Sequence, residues 1–141
     1  MRKLLLILVL SIYSCSESNN EYEYIVKDQA FRTEVLINNS GNYIELENGY
    51  TYFREANHDS ETGTVVLVHG FSVPSYILET TFNSIEKRGF RVIMMDLFGR
   101  GFSDNPDLPQ TDELRANQVI ELLERRNIKK ASLVGLSNGG R

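Results

Sequence analysis

The chain has 141 residues, 41% of them hydrophobic and 24% charged, which suits one modest globular domain and excludes a fibrous or low-complexity protein. Its net charge is −4 and it has no basic patch, which argues against a nucleic-acid partner. With a single cysteine, Cys15, an internal disulfide is excluded.

Residues 1–15 read as a signal segment. Arg2 and Lys3 make a short positive start, and the apolar run from Leu4 through Ile12 follows. That run is roughly ten residues, against about 20 for a helix that spans a bilayer. The segment ends Ile12-Tyr13-Ser14-Cys15. This resembles a bacterial lipoprotein signal, with an aliphatic residue three before the cysteine and a small one directly before it. The resemblance implies a lipid on Cys15 and an exported protein anchored in the cell envelope. Ordinary secretion, with Cys15 left in a discarded leader, is the alternative. Residues 16–30 are polar and acidic with interleaved Tyr22 and Tyr24, as in a tether between an anchor and a domain.

The domain occupies residues 31–141. Tyr43 to Glu55 reads as a β-hairpin, with alternation over Tyr43 to Leu46 and Asn48-Gly49 as the two-residue turn. His58 falls in the polar loop from Asn57 to Gly63, where a lone histidine is a solvated surface group. Thr64-Val65-Val66-Leu67-Val68 is a run dominated by β-branched residues, the pattern of a strand buried on both faces. It runs into His69-Gly70-Phe71-Ser72, whose glycine suggests a tight turn. A helix is expected over Tyr76 to Arg88, with Leu78, Phe82 and Ile85 on one face and Gly89 as its stop.

Arg91 to Met95 is the next buried strand, and Asp96 to Asp104 is a shaped loop at its carboxyl end. The G-x-G in that loop lacks the third glycine of a dinucleotide fingerprint, since position 104 is Asp. No cofactor and no metal is called for. A second helix is expected over Pro109 to Asn127, capped by Thr111, with the stripe Ala116, Val119, Ile120 and Leu123 facing the core. Ala131 to Val134 is the third buried strand.

That strand enters Gly135-Leu136-Ser137-Asn138-Gly139, a G-x-S-x-G sequence. In such a strand-to-helix turn the serine stands at the tip with its hydroxyl exposed, and side chains at the flanking glycines would collide across the bend. A hairpin followed by strand–helix–strand–helix–strand implies an α/β fold with a parallel sheet and right-handed crossovers. The loops at His69 and at Ser137 then share the carboxyl edge of that sheet and can face each other.

From about Tyr43 to Arg141 the chain resembles the N-terminal half of an α/β-hydrolase of the serine esterase and lipase kind. Three stretches carry the resemblance in order: His69-Gly70-Phe71, the D-x-x-G-x-G-x-S loop from Asp96, and Gly135 to Gly139. It implies an α/β-hydrolase fold with a mostly parallel sheet behind an N-terminal hairpin. It implies Ser137 as nucleophile, the backbone N–H groups of Phe71 and Asn138 as oxyanion hole, and His69 and Gly70 as the loop that presents Phe71. His69 is not the triad base by this reading. Phe71, Leu136 and Phe102 are candidates for an apolar acyl site. Serine at the elbow separates the chain from epoxide hydrolases and haloalkane dehalogenases of the fold, which use aspartate there. The expected activity is hydrolysis of carboxylic esters, small or lipid-like, with an acyltransferase as a variant. The family's triad acid and histidine follow the serine, and neither stands in Asn138 to Arg141, so the chain is expected to be an inactive fragment. The rival expectation is a non-catalytic surface lipoprotein that binds an acyl ligand or a partner with a relict hydrolase half.

Overall fold

The computed structural model describes residues 25–141. The expected signal segment and its lipidated Cys15 lie outside these residues. Five strands form one mixed sheet: β1 (Asn42–Leu46), β2 (Gly49–Ala56), β3 (Thr64–Val68), β4 (Arg91–Met95) and β5 (Ser132–Gly135). Their spatial order is β1-β2-β4-β3-β5. The β1–β2 hairpin joins β4 antiparallel, while β4, β3 and β5 run parallel. The fold is that of an α/β-hydrolase.

The parallel strands β3 and β4 are largely apolar because both their faces are covered. Val66, Val68, Ile93 and Met95 pack with Val119 and Leu122 of α3 (Asp112–Arg125). The alternate residues Leu67, Val92 and Met94 pack with Leu78 and with Phe82 of α2 (Glu79–Glu86). The two helices therefore lie on opposite faces of the sheet. Thr111 caps α3 as its position predicts, its hydroxyl accepting from Leu114 N at 3.1 Å.

Several expectations need correction. A helix, α1 (Gln29–Asn38), stands where none was read. Asp28 caps it by accepting from Phe31 N at 2.9 Å. Only Val35 of α1 is buried, so its apolar periodicity is faint. The stretch read as a tether overlaps this helix at Gln29 and Ala30, and Lys27 donates to Gly101 O at 2.8 Å. In the hairpin, Leu46 pairs with Gly49, so the loop residues are Glu47 and Asn48, one position earlier than read. Gly49 opens β2 at φ +134°, and the Asp104 carboxylate takes the next amide, Tyr50 N, at 2.8 Å. The helix expected from Tyr76 begins as a 3-10 turn over Ser75–Leu78.

The α3 stripe is also rotated. Leu114, Gln118, Val119 and Leu122 face inward, whereas Ile120 is 50% exposed. Leu123 packs at the edge of the core, and with Ala116, Ile120 and Leu133 it borders a groove of about 190 Å³. The reason is Gln118, a polar residue that the hydrophobic pattern passes over and that hydrogen bonds pull inside. β5, read as buried, is exposed along its length, because among the described residues it pairs with β3 alone.

Candidate active site

Ser137 follows β5 directly and opens a 3-10 turn over Ser137–Gly140. Its φ is +54°, a left-handed conformation that non-glycine residues adopt at a cost of about 1–2 kcal/mol. The bend is as tight as the sequence pattern requires. A β-carbon on Gly135 would stand 2.0 Å from Gly139 O, and one on Gly139 would stand 2.3 Å from Val68 O. The strained turn is pinned to β3 by Leu136 N donating to Val68 O at 2.9 Å. Ser137 is exposed, and Asn138, the next residue, is half-buried.

The loop after β3 meets this turn. A β-carbon built on Gly70 would lie 3.6 Å from Ser137 Oγ and 3.1 Å from Leu136 O. A side chain on Gly70 would therefore fall within contact range of the serine turn, so the two loops come together at the carboxyl edge of the sheet. Phe71, the next residue, is 61% exposed.

His69 is fully buried, and both its nitrogens are committed. Leu97 N donates to Nε2 at 2.9 Å, so Nε2 is the acceptor and the proton sits on Nδ1. Nδ1 in turn donates to Gly70 O at 2.7 Å. Burial pushes the imidazole below its ordinary value, against the opposing pull of Gly70 O and of Asp96. His69 is thus a neutral bracket between two loops. Its bond to Gly70 O also aims Phe71 N–H. The two groups belong to one planar trans peptide, so fixing the carbonyl fixes the amide in the opposite direction.

The loop after β4 is built around Asp96, which is 2% exposed. Its Oδ1 accepts from Ser75 N at 2.8 Å and its Oδ2 from Phe102 N at 2.9 Å. Its carbonyl accepts from Ser103 Oγ at 2.6 Å and from Gln118 Nε2 at 3.1 Å. Gln118 also donates to Thr51 Oγ1 at 2.8 Å and accepts from Phe98 N at 2.9 Å. Sequence reasoning placed Asp96 in a motif but missed Gln118. The available signal was a glutamine next to an apolar stripe. Arg100 was missed as well. Its Nε donates to Phe71 O at 2.5 Å and its guanidinium lies 4.6 Å from the centre of the Phe71 ring.

Two other candidates fall elsewhere. The Phe102 ring packs edge-on against Tyr52 at 5.0 Å and also meets Phe31, so it belongs to the aromatic cluster under α1 and not to an acyl site. His58 is exposed, with Nδ1 3.2 Å from Glu55 Oε1, in a cluster that holds Arg91 and Arg126. Among the described residues, no group of His, Cys, Asp and Glu side chains could hold a metal ion.

Three loops, braced by the buried His69 and Asp96, thus meet the strained serine turn at the carboxyl edge of the parallel sheet. The chain belongs to the alpha/beta hydrolase fold family, whose model matches residues 63–141. It is 34% identical over 101 residues to the AB hydrolase superfamily protein YisY of Bacillus subtilis, covering 71% of this chain and 37% of that protein. Among solved structures it is similar to the enol-lactonase from Burkholderia xenovorans LB400, at 25% identity and a TM-score of 0.66, covering 70% of this chain and 38% of the lactonase. It is also similar to the haloalkane dehalogenase DpaA from Paraglaciecola agarilytica NO2, at 29% identity and a TM-score of 0.60, covering 66% of this chain and 33% of the dehalogenase. The chain thus spans between 33% and 38% of the length of these relatives.

Proposed function

We propose that this chain carries the nucleophile and oxyanion-hole part of a serine hydrolase acting on carboxylic esters. The observation that carries the reading is the meeting of two loops: Gly70 faces an exposed Ser137 held on a left-handed turn, close enough that a β-carbon on Gly70 would lie 3.6 Å from Ser137 Oγ. A dehalogenase and a lactonase share the fold, so the fold alone does not choose the chemistry. The residue at the elbow does, and here it is serine.

In this mechanism Ser137 Oγ attacks the acyl carbon, the alcohol leaves, and water later releases the acyl group from the serine. The tetrahedral oxyanion accepts hydrogen bonds from the backbone N–H groups of Phe71 and Asn138. Removing one such donor typically lowers the rate by roughly 10²–10³. Phe71 and Leu136, both largely exposed beside the serine, offer an apolar surface to the acyl chain. By the family resemblance the triad acid and base follow the serine, and neither stands in Asn138 to Arg141. The reaction is therefore assigned to the full-length protein. A lipid anchor on Cys15 would hold that protein at the cell envelope and favours a lipid-like ester as substrate.

The test is Ser137→Ala in the full-length protein, read with p-nitrophenyl acyl esters and with a fluorophosphonate probe that labels activated serines. Loss of both signals is expected. Substantial ester hydrolysis surviving the change would sink the assignment.

A further inference from the structure

Phe71 N–H is useful to an oxyanion only if it is held on target. The peptide before Phe71 Cα is held by His69 Nδ1, which donates to Gly70 O at 2.7 Å. The peptide after it is held from another loop, by Arg100 Nε donating to Phe71 O at 2.5 Å. With both flanking peptide planes pinned, φ and ψ of Phe71 are no longer free, because the peptide units themselves are rigid. The Arg100 guanidinium also lies 4.6 Å from the centre of the Phe71 ring. A cation over an aromatic face at that range is attractive by about 0.5–1 kcal/mol at an exposed site.

The remaining contacts of Arg100 fit this use. Its Nη1 donates to Gly99 O at 2.9 Å, which fixes the side chain to its own loop. That loop is rigid, since Asp96 accepts from Phe102 N and Gly99 N donates to Asp104 O at 2.8 Å. Among the described residues, none of the ion pairs involves Arg100. A cation without a carboxylate partner, bonded to two carbonyls and stacked on a ring, is committed to loop geometry.

We propose that Arg100 is a positioning residue that clamps Phe71 from the loop after β4 and so holds the oxyanion hole in its productive shape. The proposal rests on the ester-hydrolase reading above. It makes the loop from Asp96 to Asp104 a working part of the site that acts through Phe71. Arginine is required for its planar, multi-donor head, which can bond and stack at once; lysine supplies only the charge and a single ammonium.

The test compares Arg100→Gln, Arg100→Lys and Ser137→Ala in the full-length protein. It measures kcat and KM on a p-nitrophenyl ester, and inhibition by a trifluoromethyl ketone whose adduct places an oxyanion in the hole. Loosening the clamp should lower kcat by roughly 10- to 100-fold in Arg100→Gln, the scale of a small misplacement. KM should stay within about threefold, because the interaction matters in the transition state and not in substrate binding. Affinity for the ketone should fall in parallel with kcat, and Arg100→Lys should recover only part of the loss. Two results would overturn the clamp: wild-type kcat in both Arg100 variants, or a loss confined to KM. Full rescue by lysine would also overturn it, since charge alone would then suffice. If Arg100→Gln does not fold, Arg100→Lys still decides between these outcomes. Hydrolysis persisting in Ser137→Ala would instead remove the ester-hydrolase reading, whatever the Arg100 variants do.

Discussion

A β-carbon on Gly101 would stand 2.0 Å from Asp96 Oδ2, so this glycine exists to let a buried carboxylate close the loop around it. Gly101 also has φ +50°, unfavourable for any residue with a side chain. Asp96 uses both oxygens as acceptors, for Ser75 N and Phe102 N. Asp96→Asn presents an amide donor to one of those N–H groups and leaves it unsatisfied. A loss of about 1–3 kcal/mol is expected. Urea unfolding checks this, and a variant as stable as the wild type would refute the account. Gly101→Ala should destabilise at least as much.

His69 predicts a pH dependence of stability. Burial holds the folded imidazole below its ordinary value of 6.5. The unfolded chain therefore takes up the proton first as pH falls. The stabilising contribution is complete above 6.5 and is lost as pH drops below 6.5 toward the folded value. Denaturant midpoints measured across that window should fall on acidification, and His69→Gln should remove this part of the slope. Asp96 and Arg100 act on the ring in opposite directions, so Arg100→Gln should ease its protonation.

Ser137 sits in a left-handed conformation that alanine tolerates no better than serine. Ser137→Gly should therefore be more stable than Ser137→Ala by about 1 kcal/mol, although both lack the hydroxyl. Paired thermal melts of the two variants test this. Equal stability would mean that the turn relaxes and stores no strain.

Glu55 lies at the opposite end of the sheet from Ser137 and gives a second acid-sensitive point. Burial alone would raise its carboxyl, but hydrogen bonds from His58, Arg91 and Arg126 outweigh that and hold it below 4.5. Arg91 Nε donates to Oε1 at 2.7 Å. A carboxylate with a depressed folded value stabilises above 4.5, and that stability is lost as pH falls through the folded value. Glu55→Gln should flatten the stability profile on the acid side of 4.5. It should leave any activity of the full-length protein unchanged near neutrality. A profile identical to the wild type would remove Glu55 from the account.

The sequence by itself determined where the strands lie and the buried kind of β3 and β4. Val65 to Val68 and Val92 to Met95 are unbroken apolar runs, the pattern of a strand covered on both faces. It also determined the serine turn in part, because Gly135 answers a local steric demand, the close approach of Gly139 O, whereas the demand on Gly139 comes from Val68 O of β3. What depended on distant partners was not legible. α1 is held by little of its own apolar surface, and so left no strong period to read. The phase of α3 was set by Gln118, whose bonds to Thr51, Asp96 and Phe98 appear only once three elements meet. Phe102 looked equally fit for a pocket or a core until its ring met Tyr52. Arg100 looked like any loop cation until folding set it across Phe71. Periodicity and turn chemistry are written in neighbouring residues. The pairing of a buried polar group with a partner some 20 to 70 positions away is decided only by the tertiary structure.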